Sequence, residues 1–94
     1  MGIIKVFVKN KCPRCPQAKE VGNTLREAGF NVIEYDVETP DGLAEASFYS
    51  VQATPTLIVA DQQENTIADF RGVVPSVQQI HDLFYNNAGG QMQC

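Results

Sequence analysis

Ile3-Ile4-Lys5-Val6-Phe7-Val8-Lys9-Asn10-Lys11-Cys12-Pro13-Arg14-Cys15 is the stretch on which the fold turns. Its opening residues are rich in β-branched side chains and stop at Asn10-Lys11, the pattern of a largely buried strand. Cys12-Pro13 then supplies an N-cap position and a proline at the first helical residue, where a missing N–H costs nothing. Downstream, Ala18, Val21, Leu25 and Ala28 recur at three- and four-residue spacing. That spacing predicts an amphipathic helix over about residues 13–28, with Pro16 tolerated in its first turn and Gly29 ending it. Phe30 to Val37 reads as a second strand. Strand, crossover helix and strand in so short a span make a parallel βαβ unit with a right-handed crossover.

The two thiols of Cys12 and Cys15 can close a small disulfide ring and reopen it. A thiol at the start of a helix faces the positive end of the helix dipole, which lowers its pKa and makes it an attacking group at neutral pH. A closed zinc site needs four ligands, and beyond this pair the chain offers only His81 and Cys94, which disfavours a single-chain metal site. Charge also gathers here. Residues 1–19 hold Lys5, Lys9, Lys11, Arg14 and Lys19 and no acid, whereas the remainder holds Arg26 and Arg71 against all eleven acids. Lys9, Lys11 and Arg14 flank the cysteines, where positive charge stabilises a thiolate and draws acidic partners. For Lys5 and Lys19 a solvated face is as good a reading.

Farther along, Thr39-Pro40-Asp41 is a helix start: a cap, a proline and an acid in the first turn. This helix ends near Ser50, with Leu43, Ala46 and either Phe48 or Tyr49 expected inward. Thr54-Pro55 breaks the chain before a third strand, Thr56 to Ala60. Asp61 to Asn65 is a polar turn, and Thr66 to Arg71 a fourth strand, antiparallel to the third. Ser76 caps a last helix with the stripe Val77, Ile80, Leu83 and Phe84. The predicted class is α/β, a four-stranded mixed sheet in the order βαβ, α, ββ, α, with helices on both faces. One domain over residues 1–87 and a flexible tail over 88–94 are expected. His81 reads as a partly buried structural histidine, Tyr35, Tyr49 and Tyr85 as packing residues, and Cys94 as a free thiol.

No apolar run approaches the roughly 18 residues of a membrane span, and Met1-Gly2-Ile3-Ile4-Lys5 does not read as a secretory signal. A cytoplasmic location is therefore expected, where three cysteines point to catalysis rather than to a structural framework. Nucleic acid is a poor partner for a domain with net charge −4 and a short basic segment without interleaved aromatics. A monomer is expected.

The strand leading to Cys12-Pro13-Arg14-Cys15, the Ala18-Lys19 pair, Thr54-Pro55 opening the third strand and Gly72 after the fourth together resemble the glutaredoxin–thioredoxin superfamily, over residues 3 to 85. The resemblance implies a thioredoxin-like fold and a dithiol–disulfide oxidoreductase. Cys12 would attack a substrate disulfide and Cys15 would resolve the mixed disulfide, with Lys9, Lys11, Pro13 and Arg14 forming the thiolate's surroundings. It also implies a cis Thr54–Pro55 bond facing the cysteines, the Thr54 backbone free to bond substrate, and Gly72 allowing substrate to approach. No cofactor beyond the redox disulfide is expected.

Within that superfamily the details lean one way. Thioredoxins carry Gly-Pro between the cysteines, a Trp before them and a buried acid six residues earlier. This chain has Pro13-Arg14, Lys11 and Val6, which is closer to glutaredoxins. Arg71-Gly72-Val73-Val74-Pro75-Ser76 lacks the Gly-Gly pair of glutathione users. It looks more like the loop of glutaredoxin-like redoxins that serve ribonucleotide reductase and are recycled by a thioredoxin-reductase-type flavoprotein. Glutathione-dependent reduction is the alternative, since Lys9 and Thr54-Pro55 suit that tripeptide. An alternative of another class is a metal or iron–sulfur module using Cys12, although Pro13 tends to disfavour clusters in that family.

Overall fold

A computed structural model describes the backbone of residues 2–93 and the side chains as far as Tyr85. Four strands and three helices alternate: β1 (Ile3–Val8), α1 (Cys15–Glu27), β2 (Asn31–Asp36), α2 (Pro40–Phe48), β3 (Thr56–Ala60), β4 (Thr66–Arg71) and α3 (Val77–Gln93). The sheet order is β2-β1-β3-β4. β1 runs parallel to β2, with Ile3 opposite Asn31 and Val8 opposite Asp36, and antiparallel to β3, with Val6 opposite Leu57. β3 and β4 form an antiparallel pair with an irregularity at Val59/Ala60.

The near-continuous apolar runs of β1 and β3 follow from their central place, where both faces are covered. Ile4, Val6 and Val8 with Leu57 and Val59 pack against Ala18 and Leu25 of α1 and Ile80 of α3. On the opposite face Phe7 and Ile58 pack with Ala46 of α2, flanked by Tyr35, Val37, Tyr49 and Val51. Burying an aliphatic or phenyl side chain of this kind stabilises the fold by roughly 1.5–3 kcal/mol, so these two layers outweigh any surface interaction. Helices therefore cover both faces, as expected.

Several expectations need correcting. α1 begins at Cys15, and Arg14, not Cys12, is its N-cap. Prolines at 13 and 16 offer two possible starts, and the chain uses the later, with Pro16 in the first turn. Ala28 caps the other end of α1 and is exposed rather than part of the stripe. Leu43 of α2 faces outward at 58 % exposure, whereas Ala46 is buried as expected and, of Phe48 (78 %) and the capping Tyr49, it is Tyr49 that turns in. Lys5 is buried at 6 % exposure, its Nζ donating to Glu45 Oε1 and to the Tyr49 hydroxyl, each at 2.9 Å. The helix read as ending before Asn86 continues in backbone to Gln93, and Cys94 lies outside the described residues.

The predicted start at Thr39 holds: its Oγ1 accepts from Gly42 N at 3.1 Å and donates to Asp36 O at 2.7 Å. His81 packs between the rings of Phe30 and Tyr85, with centroids 6.2 and 4.3 Å away, in the structural role expected.

Candidate active site

β1 delivers the chain to the site and a tight turn aims it. After Val8 the backbone reverses through Asn10 and Lys11, with Lys11 at φ 60°, a left-handed conformation uncommon outside glycine and asparagine. Cys12 follows. Its carbonyl accepts from Cys15 N at 3.3 Å, so one turn of chain leads into α1. Cys12 and Cys15 are joined in a disulfide with Cα atoms 5.3 Å apart. Exposure differs between the sulfurs' residues: Cys12 is 7 % exposed, Cys15 only 2 % and held among Ala18, Leu25 and the β1 side chains. Of the two, Cys12 is the more exposed.

Thr54–Pro55 is a cis peptide bond. Pro55 is buried, its carbonyl accepting from Gly72 N at 2.8 Å, and Gly72 sits at φ 76°, a conformation that side chains rarely adopt. Gly72 thus acts on the loop through Pro55 and does not line the space beside Cys12. Among the described residues no backbone hydrogen bond engages Thr54.

Cys12 and Thr54 open on one groove of about 520 Å³. Lys9, Lys11 and Pro13 line it together with Leu43, Val51, Gln52 and Ala53. The structure thus gathers Lys9, Lys11, Cys12, Pro13 and Thr54. Arg14 is exposed at the cap of α1 and lines none of the grooves around the cysteines. Val37, Leu43, Ala46, Val51, Gln52 and Ala53 are groove residues that the sequence did not reveal. Leu43 is apolar and expected inward, and the placement of α2 turns it to solvent. Among the described residues no three His, Cys, Asp or Glu side chains converge to hold a metal ion.

A buried polar cluster ties α2 to β1 through Lys5. Burial alone pulls its pKa down, but the hydrogen bonds to Tyr49 and Glu45 outweigh it and hold the ammonium above the ordinary lysine value. Arg71 continues this tie: Nη1 donates to Ser50 O and Nη2 to Tyr49 O, each at 3.0 Å. The end of α2, from which residues 51–54 reach the groove, is thereby anchored to β1 and β4.

A cysteine that opens on a groove at the head of a helix, its buried partner and a cis-proline turn define a dithiol–disulfide centre on an α/β scaffold. Comparison with known proteins agrees. Residues 3–85 match the profile of the thioredoxin domain. A probable thioredoxin of Archaeoglobus fulgidus is 35 % identical over 63 residues, spanning 66 % of this chain and 69 % of that one. Among solved structures, a mutant thioredoxin from Halobacterium salinarum superposes with a TM-score of 0.74 at 25 % identity, covering 87 % of this chain and 70 % of its own. Thioredoxin-2 of the malaria parasite gives 0.74 at 19 % identity over 90 % and 82 % of the two chains. The chain belongs to the thioredoxin family. Members of that family act on protein disulfides, and the Cys12–Cys15 pair has the arrangement of a thiol–disulfide oxidoreductase.

Proposed function

We propose that this protein reduces disulfides of other proteins by a two-cysteine cycle and stands closer to glutaredoxin-like redoxins than to typical thioredoxins. The Cys12 thiolate attacks one sulfur of a substrate disulfide. A mixed disulfide forms, and the other substrate sulfur leaves as a thiolate and takes a proton. Cys15, deprotonated, then attacks the Cys12 sulfur, releasing the second substrate thiol and closing the Cys12–Cys15 bond. Two electrons pass from the protein to the substrate. A thioredoxin-reductase-type flavoprotein returns them from NADPH, and the cycle runs in the reducing cytoplasm. Ribonucleotide reductase is one candidate acceptor.

The observation that carries this reading is the paired cysteines of unequal exposure, Cys12 opening on the groove that Thr54 shares. Pro13 and Pro16 remove two N–H donors around the helix start, so Lys9 and Lys11 carry more of the thiolate's stabilisation. Cys12→Ser should abolish reduction of insulin disulfides, while Cys15→Ser should accumulate a mixed disulfide visible by mass spectrometry. Alkylation at mildly acid pH should label Cys12 first. Preferential labelling of Cys15, or full activity in Cys12→Ser, overturns the assignment. Offering the oxidised protein NADPH with thioredoxin reductase, and separately glutathione with its reductase, decides the donor. Turnover with glutathione alone refutes the flavoprotein route.

A further inference from the structure

The charge lining the grooves is unevenly matched. The space flanked by Val8, Cys15 and Pro16 has Lys9, Lys11 and Lys19 facing Glu34, Asp36 and Glu38. Glu38 is held there by Asn10 N, which donates to its Oε1 at 3.2 Å. At the far end of the sheet, Lys5 shares a groove with Glu45, Asp61 and Glu64. Cys12, Lys9 and Lys11 line that first space too, but the other groove they line, the one shared with Thr54, has no carboxylate among its lining residues, and among the described residues neither lysine forms a salt bridge. That groove lies in a chain of net charge −4. Its lining also holds apolar residues, Leu43 at 58 % exposure with Val51 and Ala46.

We propose that this groove selects an extended, acidic segment of a partner protein, with a carboxylate beside the disulfide cysteine and an apolar side chain against Leu43. The inference rests on the disulfide-reductase reading and adds the substrate class to it. Two ammonium groups in the lining of a groove that holds no carboxylate favour a negatively charged occupant. The exposed apolar surface of Leu43 is removed from water when a side chain covers it. The backbone of Thr54 gives such a segment a main-chain partner while its cysteine approaches Cys12.

The test uses two disulfide-bonded hexapeptides that differ only in carrying Glu-Glu or Lys-Lys beside the cysteine, each with a leucine two residues away. Reduction of the acidic peptide should exceed that of the basic one by about 3- to 10-fold in kcat/KM at low ionic strength, with the gap narrowing as salt is added. Lys9→Glu/Lys11→Glu should abolish or invert the preference. Lys19→Glu, on the matched flank, should keep it. Leu43→Asp should weaken the acidic peptide selectively. Equal rates for the two peptides, or a preference that follows Lys19 rather than Lys9 and Lys11, overturns the proposal. Bis(2-hydroxyethyl) disulfide, which is neutral, tests the underlying reading separately, since failure to reduce it removes the reductase function itself. Binding of the two peptides to the Cys12→Ser/Cys15→Ser protein then still decides the selectivity: tighter acidic-peptide binding supports it, and equal binding refutes it. Glutathione binding there as tightly as the acidic peptide would refute the choice of a protein segment.

Discussion

Replacing Lys5 by Met tests the polar cluster that ties β1 to α2. Methionine keeps most of the stem's length and apolar packing but deletes the charge. It leaves the Tyr49 hydroxyl and Glu45 without their shared donor, and removes an ammonium 4.7 Å from the Tyr49 ring centroid. Breaking a fully buried ion pair at one partner costs about 3–5 kcal/mol. The Glu45 side chain, however, is 34 % exposed against 8 % for Lys5. It regains water when the lysine is gone, so the expected loss is smaller, about 2 kcal/mol, the scale of a charged hydrogen bond. In a domain of this size that lowers the Tm by roughly 8–16 °C. The pH dependence carries a sign. Because the folded pKa of Lys5 lies above its unfolded value, its stabilisation is fully present below about pH 10.4 and declines as the pH rises beyond it. Tyr35, raised chiefly by burial, adds a change in the same alkaline range. Urea unfolding followed by circular dichroism across that range, in a Tyr35→Phe background, isolates the lysine contribution. A loss below about 0.5 kcal/mol, or parallel pH curves with and without Lys5, would refute the reasoning.

Gly22 sits inside α1, where an added Cβ would meet Val6 Cγ2 at 3.4 Å and Val32 Cγ1 at 3.5 Å, ordinary van der Waals distances. Gly22→Ala should stabilise the fold by about 0.5–1 kcal/mol, and a lower Tm would show the space to be tighter than this. Thr39→Ala removes the side chain capping α2 and should cost about 1 kcal/mol in chemical unfolding, whereas Thr39→Ser should cost far less. Ser50 is held at φ 56°, and Ser50→Gly should raise stability by about 0.5 kcal/mol after the extra unfolded-chain entropy of glycine is set against the relieved backbone. A loss of stability there would mean that the serine side chain makes a compensating interaction.

The strand–helix alternation was legible because period and punctuation agreed: Thr39-Pro40-Asp41 starts a helix, Gly29 ends one, and Thr54-Pro55 marks a break. The cysteine pair and the proline turn needed no tertiary knowledge beyond the family resemblance. Lys5 was not legible. Its partner Glu45 lies forty residues away in sequence, so no local pattern distinguishes a buried ammonium from a solvated one. Leu43 failed for a related reason. α2 spans nine residues, so its apolar positions define no single face by themselves. Which side is buried is set by packing on the sheet, and that leaves Leu43 to the groove. The start of α1 was misread because two prolines both satisfy the rule for a helix beginning.

The burial of β1 and β3 also bears on how this chain behaves while unfolded. Thr56-Leu57-Ile58-Val59-Ala60 is fully buried, rich in β-branched residues and uncharged, the composition that stacks readily into intermolecular sheets. Pro55 and Asp61 bracket it, one lacking an N–H to offer a neighbouring strand and the other charged. The matching run of β1 is interrupted at its middle by Lys5, whose charge would have to be stacked on itself in any in-register assembly. In the folded sheet the two outer strands carry Glu34, Asp36, Asp69 and Arg71. Such charges discourage another sheet from docking at either edge. The lysine that ties β1 to α2 in the native state thus doubles as a gatekeeper against aggregation before that state is reached.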